Sequence, residues 1–510
     1  MHGDEAVHAI KFGDLLQDGV YTYDPHEYHG PVLNYFSLLP AWLTGAESLI
    51  EVNESHLRVV PVFFGVLLIL LLLPLAKSLG WPIVLTAVVF TAVSPTLIFY
   101  SRYYIQETLL VCTAFGLLVS GFRYFQSGKL LWIVAGGIFL GLMHATKETF
   151  VISIAAMTAA FGVVAFLVKR ETSGSAFEKH RGFAGRLLIG LGTAALVSML
   201  FFSSFLSHPQ GVLDSVLTYQ TYFDRAGENA FHIQPWHYYL KILLHFQIAD
   251  APVFTEAFFM VLAVIGAIFS FKKSAAVGVE KLFFRLITIY TGALFSIFSA
   301  IPYKTPWNML GFYHAMLILA AFGAVSVWRF LSERAKRQKS FATKIAATSF
   351  VIAFLIGFGH IGWQAYYWNF KADASPANPH VYAHPTDDVF AITETIKNFA
   401  KASDQGTSLH IEFACKNDDY WPFPWYLREL PNIGWRNKID FEAPSAPIMI
   451  ISPELEGDLV TKLYEKTPPG QRDLYAPLFD EYMELRPGLE IRGYVKVDLW
   501  NKYHSTEDVR

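Results

Sequence analysis

Residues 58–79, RVVPVFFGVLLILLLLPLAKSL, form an apolar run whose only charged residues are Arg58 and Lys77. A helix needs roughly 20 apolar residues to cross the hydrocarbon core of a bilayer. Nine further stretches have the same character: 82–100, 105–125, 130–147, 149–168, 187–207, 252–271, 285–302, 309–331 and 345–367. With 53% hydrophobic and 16% charged residues, the composition excludes an ordinary soluble domain. The sequence therefore predicts an α-helical polytopic membrane protein with about ten transmembrane helices in this chain.

Lysine and arginine collect in every second gap between these stretches, for example at Lys77, at Arg123 and Lys129, and from Arg329 to Lys339. Cytoplasmic loops carry such an excess of positive charge, so these gaps are expected on the cytoplasmic side. The remaining gaps are then extracytoplasmic, as is everything after about residue 368. We expect a multi-pass protein of the plasma (cell) membrane.

Composition predicts three segments. Residues 1–57 form a first extracytoplasmic loop with amphipathic helices, 58–367 a transmembrane helical domain including the outer loop 208–249, and 368–510 a soluble extracytoplasmic α/β domain. By alternation residues 1–57 lie outside, so we expect an apolar first helix that is missing ahead of Met1. The alternative is that this segment stays cytoplasmic and breaks the positive bias.

Isolated acids occupy the predicted outer gaps. Asp4 and Glu5 open the first one, where a carboxylate can take the proton of an acceptor hydroxyl; a helix cap is the alternative that local sequence favours. Glu107 lies at the edge of an apolar stretch, where an ionised carboxylate needs a partner or a polar cavity. An ion pair with Arg102, a second acidic wall of an active site and half of a divalent-cation site all remain open.

Four bases share that predicted face: His29, Arg102, Lys147 and Lys304. Taken alone, Lys147 and Lys304 are each typical of a lysine at a helix end that reaches for lipid headgroups. Together they suit a phosphate, because one charge at about 4 Å contributes roughly 4 kcal/mol at an effective dielectric of 20, before desolvation. We therefore predict a phosphate-binding cluster, with Glu148 beside Lys147.

Aromatic residues accompany these charges at His232, Trp236 and Trp307. An interfacial belt at headgroup depth is one interpretation, and contact with a sugar or a lipid tail is the other. The net charge of −3 gives no reason to expect a nucleic-acid partner. No Walker A loop or glycine-rich dinucleotide motif is present in the sequence, so ATP-driven transport has no support.

Several motifs recur together in this chain. They are Asp4-Glu5, Tyr23-Asp24-Pro25 with His29-Gly30-Pro31, Ser101-Arg102-Tyr103-Tyr104 with Glu107, Lys147-Glu148-Thr149, Tyr303-Lys304-Thr305-Pro306-Trp307-Asn308, and Trp421-Pro422-Phe423-Pro424-Trp425-Tyr426. In this combination the chain resembles the prokaryotic flippase activity-associated membrane proteins. Those are similar to the GT-C glycosyltransferases, the superfamily of dolichyl-phosphate-mannose protein mannosyltransferases and lipid A aminoarabinose transferases.

The resemblance implies an inverting transferase that takes a sugar from a polyprenyl-phosphate carrier and gives it to a glycan, lipid or protein acceptor. By position, Asp4 matches the first-loop general base, Glu5 its neighbour and Glu107 the second-loop acid. His29 stands near a lysine that precedes Pro-Pro in the aminoarabinose transferases, whereas this chain has His29-Gly30-Pro31. No cofactor is firmly implied; a divalent cation is the one considered.

Two other functions remain open. The chain could be a flippase or flippase-associated factor for lipid-linked oligosaccharides, or a non-catalytic glycolipid-binding scaffold. A flippase is expected to carry charges near span midpoints or broken helices in matched halves. Charges here gather at the predicted outer ends, which favours an outer-face enzyme.

Overall fold

The structure is a computed structural model that describes residues 1–26, 29–171, 182–228, 232–272, 278–466, 468–470 and 472–507. Contacts divide the chain into two compact units. One, the sheet unit, comprises Met1–Gln17, Ala41–Glu54 and Ala383–Arg510; the other, the helical unit, comprises Asp18–Pro40 and Ser55–Tyr382. These units follow contacts, whereas the predicted segments 1–57, 58–367 and 368–510 follow chain order and remain a prediction.

The helices before residue 371 are α1 (Gly3–Asp18), α2 (Val32–Thr44), α3 (Glu54–Leu70), α4 (Ala76–Leu79), α5 (Trp81–Val93), α6 (Pro95–Tyr100), α7 (Glu107–Ser127), α8 (Leu130–His144), α9 (Phe150–Glu171), α10 (Phe183–Phe202), α11 (Gln210–Glu228), α12 (Tyr238–Leu244), α13 (Ala257–Phe271), α14 (Val279–Ala300), α15 (Leu310–Gln338) and α16 (Phe341–Phe370).

Among the described residues, seven helical stretches are long and apolar enough to cross a membrane: Glu54–Leu79, Glu107–Ser127, Phe150–Glu171, Phe183–Phe202, Val279–Ala300, Pro306–Gln338 and Phe341–Phe370. Three shorter apolar helices, α5, α8 and α13, fall in the other predicted stretches. The expectation of a helical multi-pass membrane protein is confirmed. The number of ten spans stays a prediction.

The predicted stretch 82–100 is not one helix. Helix α5 ends at Val93, and Ser94 caps α6 by accepting a hydrogen bond at its Oγ from the amide of Leu97, at 3.3 Å. Pro95 follows at the first position of α6, where its missing N–H is tolerated. Hydropathy is continuous across this junction, so the pattern alone did not reveal the break.

Helices α13 and α15 approach each other closely through two glycines. A Cβ built on Gly266 would lie 2.1 Å from the carbonyl oxygen of Leu319, and one built on Gly323 would lie 2.1 Å from that of Leu262. Small residues permit such backbone contact between membrane helices, where lipid gives little hydrophobic drive for association.

Replacing Gly266 by alanine is therefore expected to push α13 from α15 and to lower stability by about 1–3 kcal/mol, the usual cost of overpacking. Thermal unfolding of the purified protein in detergent measures the loss. Gly292→Ala in α14 is the matched control, because no atom lies within 4 Å of a Cβ at that position. Equal melting temperatures for the two variants would show that the contact is not tight.

The C-terminal part of the sheet unit is a small α/β domain, as predicted. Its strands are β1 (Ile411–Ala414), β2 (Ile433–Arg436), β3 (Ile448–Ile451), β4 (Tyr475–Pro477), β5 (Met483–Arg486) and β6 (Leu489–Lys496), and its helices are α17 (Asp388–Ala402), α18 (Phe423–Tyr426), α19 (Glu456–Val460) and α20 (Val497–Glu507). The sheet order is β2-β1-β3-β6-β4, and β5 pairs with β6. Strands β1, β2 and β3 run parallel, while β6 is antiparallel to its neighbours.

Both faces of this sheet are buried. Ile411 and Phe413 pack in one core with Ile392 and Ile396 of α17, and Ala414 packs in a second core on the other side. Successive residues of a strand point to opposite faces, so β1 serves both cores. The apolar residues on both faces of β1 follow from this burial on two sides.

Candidate active site

The helical unit brings together Glu107 and Lys147, two of the predicted site residues. Glu107 is the first residue of α7, and Lys147 lies in the turn between α8 and α9. Lys147 Nζ donates to Glu107 Oε1, and the side chains are only 10% exposed for Lys147 and 6% for Glu107. The ion pair of Glu107 in the structure is thus with Lys147, whereas the sequence suggested Arg102.

This ion pair lies at one end of a cavity between α7, α9, α14 and α15, with an empty volume of about 610 Å³ that includes space open to the outside. On α7 the lining residues recur at helical spacing: Glu107, Leu110, Val111, Ala114, Phe115 and Leu118. At 1.5 Å per residue they cover about 16 Å. On α15 and the turn before it the lining extends from Trp307 to Ile318. The site is thus a charged end followed by mainly apolar walls.

His314 of α15 lines the same cavity among these apolar walls. Its ring lies edge-on to Phe115, with centroids 4.9 Å apart, and its Nε2 has no hydrogen-bond partner within the described part of the chain. Sequence reasoning missed His314. A lone polar residue inside an apolar stretch is the signal that could have found it.

Glu148, next to Lys147, is hydrogen-bonded to two further side chains. Its Oε2 is hydrogen-bonded to His29 Nδ1 at 2.8 Å, and its Oε1 accepts from the hydroxyl of Tyr23 at 3.0 Å. Burial, together with the nearby Glu148 carboxylate, raises the pKa of Tyr23 above its ordinary range, so the phenol stays protonated and donates. The structure therefore joins the predicted residues His29 and Glu148 directly.

Gly30 explains why the motif reads His29-Gly30-Pro31. A Cβ at Gly30 would lie 2.3 Å from the carbonyl oxygen of Ala145. That carbonyl also accepts a hydrogen bond from the amide of Val32, at 3.1 Å. The glycine lets the loop lie against the turn that carries Lys147 and Glu148.

Arg102 has other partners. Its Nη1 donates to the carbonyl oxygen of Asn369 at 2.8 Å, and its guanidinium carbon lies 4.8 Å from the ring centroid of Phe370. Both partners belong to the last turn of α16. This arrangement anchors the loop before α7 to α16, and a phosphate contact by Arg102 stays a prediction.

Lys304 is buried and joins the segment before α12 to the segment before α15. Its Nζ donates to the carbonyl oxygen of Gln234 at 3.0 Å and to that of Ile301, and its amide donates to the carbonyl oxygen of His232 at 3.1 Å. A short bridge between Ile233 and Tyr303 joins the same segments. These contacts give Lys304 a structural task, and its predicted phosphate contact remains untested.

The three predicted aromatic contacts differ in their surroundings. Trp307 lines the cavity and packs near Tyr103, with ring centroids 6.2 Å apart, and near Tyr382, at 5.8 Å. The Nδ1 of His232 and the hydroxyl of Tyr382 are hydrogen-bonded. Trp236 is 63% exposed. Of the three, Trp307 lines the same cavity as Glu107 and Lys147.

Asp4 and Glu5 belong to the sheet unit, in the first turn of α1. Glu5 is fully buried, and its Oε2 accepts from the amide of His2 at 3.0 Å. The Asp4 side chain is 51% exposed, with Oδ2 4.0 Å from His2 Nδ1. Glu5 therefore caps the start of α1, while the Asp4 carboxylate is half exposed and its predicted role as a base stays a prediction.

The aromatic segment 421–426 packs within the sheet unit. Trp425 is buried and its Nε1 donates to Glu54 Oε1 at 2.9 Å. Arg428 lies 3.9 Å over the Trp425 ring and donates to the carbonyl oxygens of Leu49 and Val52. These contacts make the segment a packing element of the sheet unit.

Glu256, at the start of α13, is a buried acid that sequence reasoning missed. Its Oε2 accepts from Ser94 Oγ at 3.2 Å and its Oε1 from the amide of Thr96 at 3.1 Å. An acid inside the predicted stretch 252–271 was the available signal. The bonds tie α13 to α6, which precedes the loop leading to Glu107.

No group of three or more His, Cys, Asp or Glu that could hold a metal ion occurs among the described residues. Glu107 faces the ammonium of Lys147, which would repel a divalent cation. Within the described part of the chain, Glu107 and its surroundings therefore do not fit the divalent cation considered from the sequence.

Residues 31–205 match the family described as dolichyl-phosphate-mannose-protein mannosyltransferase. No curated protein sequence matches the chain. Among solved structures, ArnT from Cupriavidus metallidurans in the apo state is similar with a TM-score of 0.60 and 12% identity, over 96% of this chain and 93% of that one. ArnT from the same organism bound to undecaprenyl phosphate is similar with a TM-score of 0.60 and 14% identity, again over 96% of this chain and 93% of that one. An Archaeoglobus fulgidus oligosaccharyltransferase in complex with Zn and sulfate is similar with a TM-score of 0.53 and 12% identity, over 91% of this chain and 65% of that one.

Proposed function

We propose that this chain is a member of the GT-C glycosyltransferase superfamily and transfers a sugar from a polyprenyl-phosphate donor to an acceptor on the extracytoplasmic face of the plasma membrane. The observation that carries the proposal is the cavity, in which the ammonium of Lys147 lies at the end of apolar walls. An ammonium suits a phosphate, and apolar walls suit the first isoprene units. Undecaprenyl phosphate bound to the similar ArnT supports this class of ligand.

The proposed reaction is an in-line displacement at the anomeric carbon. A bond forms between the acceptor oxygen and that carbon while the bond from the carbon to the phosphate oxygen breaks, which inverts the configuration. Asp4 takes the proton of the acceptor hydroxyl. Lys147 exchanges part of its contact with Glu107 for the departing phosphate, whose developing charge it stabilises. Free polyprenyl phosphate then leaves.

Four further predicted residues have supporting roles in this proposal. Glu148 and His29 hold the turn that presents Lys147, and Trp307 offers a ring at the charged end of the cavity for the donor. Glu107 orients Lys147 before the phosphate arrives. Pre-oriented charge of this kind costs little reorganisation during the reaction.

Filling the cavity tests the proposal. Protein in liposomes is given a panel of polyprenyl-phosphate sugars, and release of free polyprenyl phosphate is measured. Ala114→Phe places a ring on the cavity wall, about 10 Å along α7 from Glu107. We expect it to reduce release from long-chain donors at least tenfold, and to spare donors with only two isoprene units. Gly121→Phe is the control, since that position of α7 is exposed and a Cβ there meets no atom within 4 Å.

Two results would contradict the proposal. Unchanged release from long-chain donors in Ala114→Phe would remove the cavity as the tail site. Absence of release from every donor by the wild-type protein, with the donors still bound, would favour a flippase-associated factor or a scaffold. Thermal unfolding of each variant shows whether the substitution has disturbed folding.

A further inference from the structure

Helix α11 buries small and polar residues and exposes apolar ones. Gly211, Ser215 and Thr218 are buried, whereas Leu213, Val216 and Leu217 are between 47% and 61% exposed. At about 100° per residue, the first set lies about 180° around the helix from the second. A surface helix of a soluble protein buries its apolar stripe and exposes its polar one. In this part of α11 the apolar stripe is exposed and the polar side is buried.

The buried face is held by specific contacts of the helical unit. Thr218 Oγ1 donates to the carbonyl oxygen of Pro25 at 3.1 Å. A Cβ at Gly211 would lie 2.1 Å from the carbonyl oxygen of Phe202, so the start of α11 lies against the end of α10. These contacts determine which side of the helix faces outward.

The outward apolar face continues a surface that belongs to a membrane span. Met199 on α10 is 45% exposed, and Phe205 and Leu206, in the turn between the two helices, are 52% and 73% exposed. Helix α10 is one of the helices apolar enough to cross a bilayer. The exposed face of α11 therefore begins at the depth where that span ends.

We infer that α11 lies in the interface of the outer leaflet, with Leu213, Val216 and Leu217 among the lipid acyl chains. Interfacial helices bury their apolar face about 5–10 Å into the boundary between headgroups and acyl chains. Asp214, which accepts a hydrogen bond from Gln210 Nε2 at 3.1 Å, lies on the flank between the buried and the apolar faces, and we expect this flank to face water. The partner is the lipid bilayer itself.

Helix α11 also contacts the loop before α2. Thr218 contacts the segment that contains Tyr23, whose hydroxyl donates to Glu148. A helix anchored in lipid on one side and on this loop on the other would hold the loop at the level of the headgroups. That is the level at which a lipid phosphate would reach Lys147.

The inference can be tested without any sugar donor. An environment-sensitive fluorophore is attached to Val216→Cys, and to Asp214→Cys as the matched control on the same turn. Cys112 and Cys415 are both buried, and the protein without an added cysteine measures background labelling. The labelled proteins are reconstituted in phosphatidylcholine vesicles that contain lipids spin-labelled at carbon 5 or at carbon 12, and iodide is the aqueous quencher.

We expect the fluorophore at 216 to be quenched at least threefold more by the carbon-5 lipid than the one at 214, and iodide to show the opposite preference. Equal iodide quenching at both positions would place this face in water and overturn the inference. Protection of position 216 from both quenchers would also overturn it, because protein would then cover the face. Stronger quenching by the carbon-12 lipid would contradict an interfacial depth.

Discussion

Replacement of Asp4 by asparagine is expected to reduce sugar transfer by roughly 10²- to 10⁴-fold, the contribution typical of general acid–base catalysis. Asparagine keeps the shape of the side chain but cannot take the proton of an acceptor hydroxyl. The fold has little reason to change, because the hydrogen bond to His2 Nδ1 comes from the amide of Asp4 and the carboxylate is half exposed. Gly3, the preceding residue, still lies against Trp421.

Asp14→Asn is the matched control for this prediction. Asp14 lies on the same helix, is 55% exposed and pairs with Lys11 at 3.5 Å. Turnover is measured as release of polyprenyl phosphate, and donor binding is measured separately. Full turnover in Asp4→Asn, or an equal loss in Asp14→Asn, would remove Asp4 as the base.

Replacement of Lys147 by methionine is expected to destabilise the protein by about 3–5 kcal/mol, because it leaves the buried Glu107 carboxylate without its partner. Binding of polyprenyl phosphate should fall as well, since the variant lacks the ammonium at the end of the cavity. Thermal unfolding in detergent and titration with the lipid phosphate measure the two effects.

A double variant separates the effect on stability from the effect on lipid-phosphate binding. Glu107→Gln together with Lys147→Met removes both charges, so stability should return toward that of the wild type. Lipid-phosphate binding should remain weak, because the cation is still missing. Lys241→Met, at an exposed lysine of α12, is the control for loss of a positive charge elsewhere in the helical unit. Normal binding by the double variant would show that Lys147 does not hold the phosphate.

The membrane helices were predictable because long apolar runs have few other uses in a protein. Their ends were less so. The predicted stretch 309–331 belongs to a helix that continues to Gln338, since hydropathy reports only the part within lipid while the hydrogen-bonded backbone continues beyond it. The break at Ser94-Pro95 was missed for a related reason, because both sides of it are apolar.

The sequence allowed us to predict which residues belong to the site, but not which of them contact each other. Glu107 was predicted because a carboxylate at the edge of a span needs a partner, and Lys147 because four bases on one predicted face suit a phosphate. Their pairing joins positions 40 residues apart, and no local pattern encodes that distance. Glu148 likewise required the structure to show its bonds to His29 and Tyr23. Glu256 escaped notice because its partners, Ser94 and Thr96, lie in another helical segment.

The depth of the cavity bears on which carriers compete for this protein. Its lining on α7 ends at Leu118, about 16 Å from Glu107, roughly half the thickness of a hydrocarbon core. An undecaprenyl chain is much longer than that, so under the proposed function most of the tail would remain dissolved among the lipids. Carriers that share their first isoprene units and differ only near the far end of the tail should then be equivalent competitors.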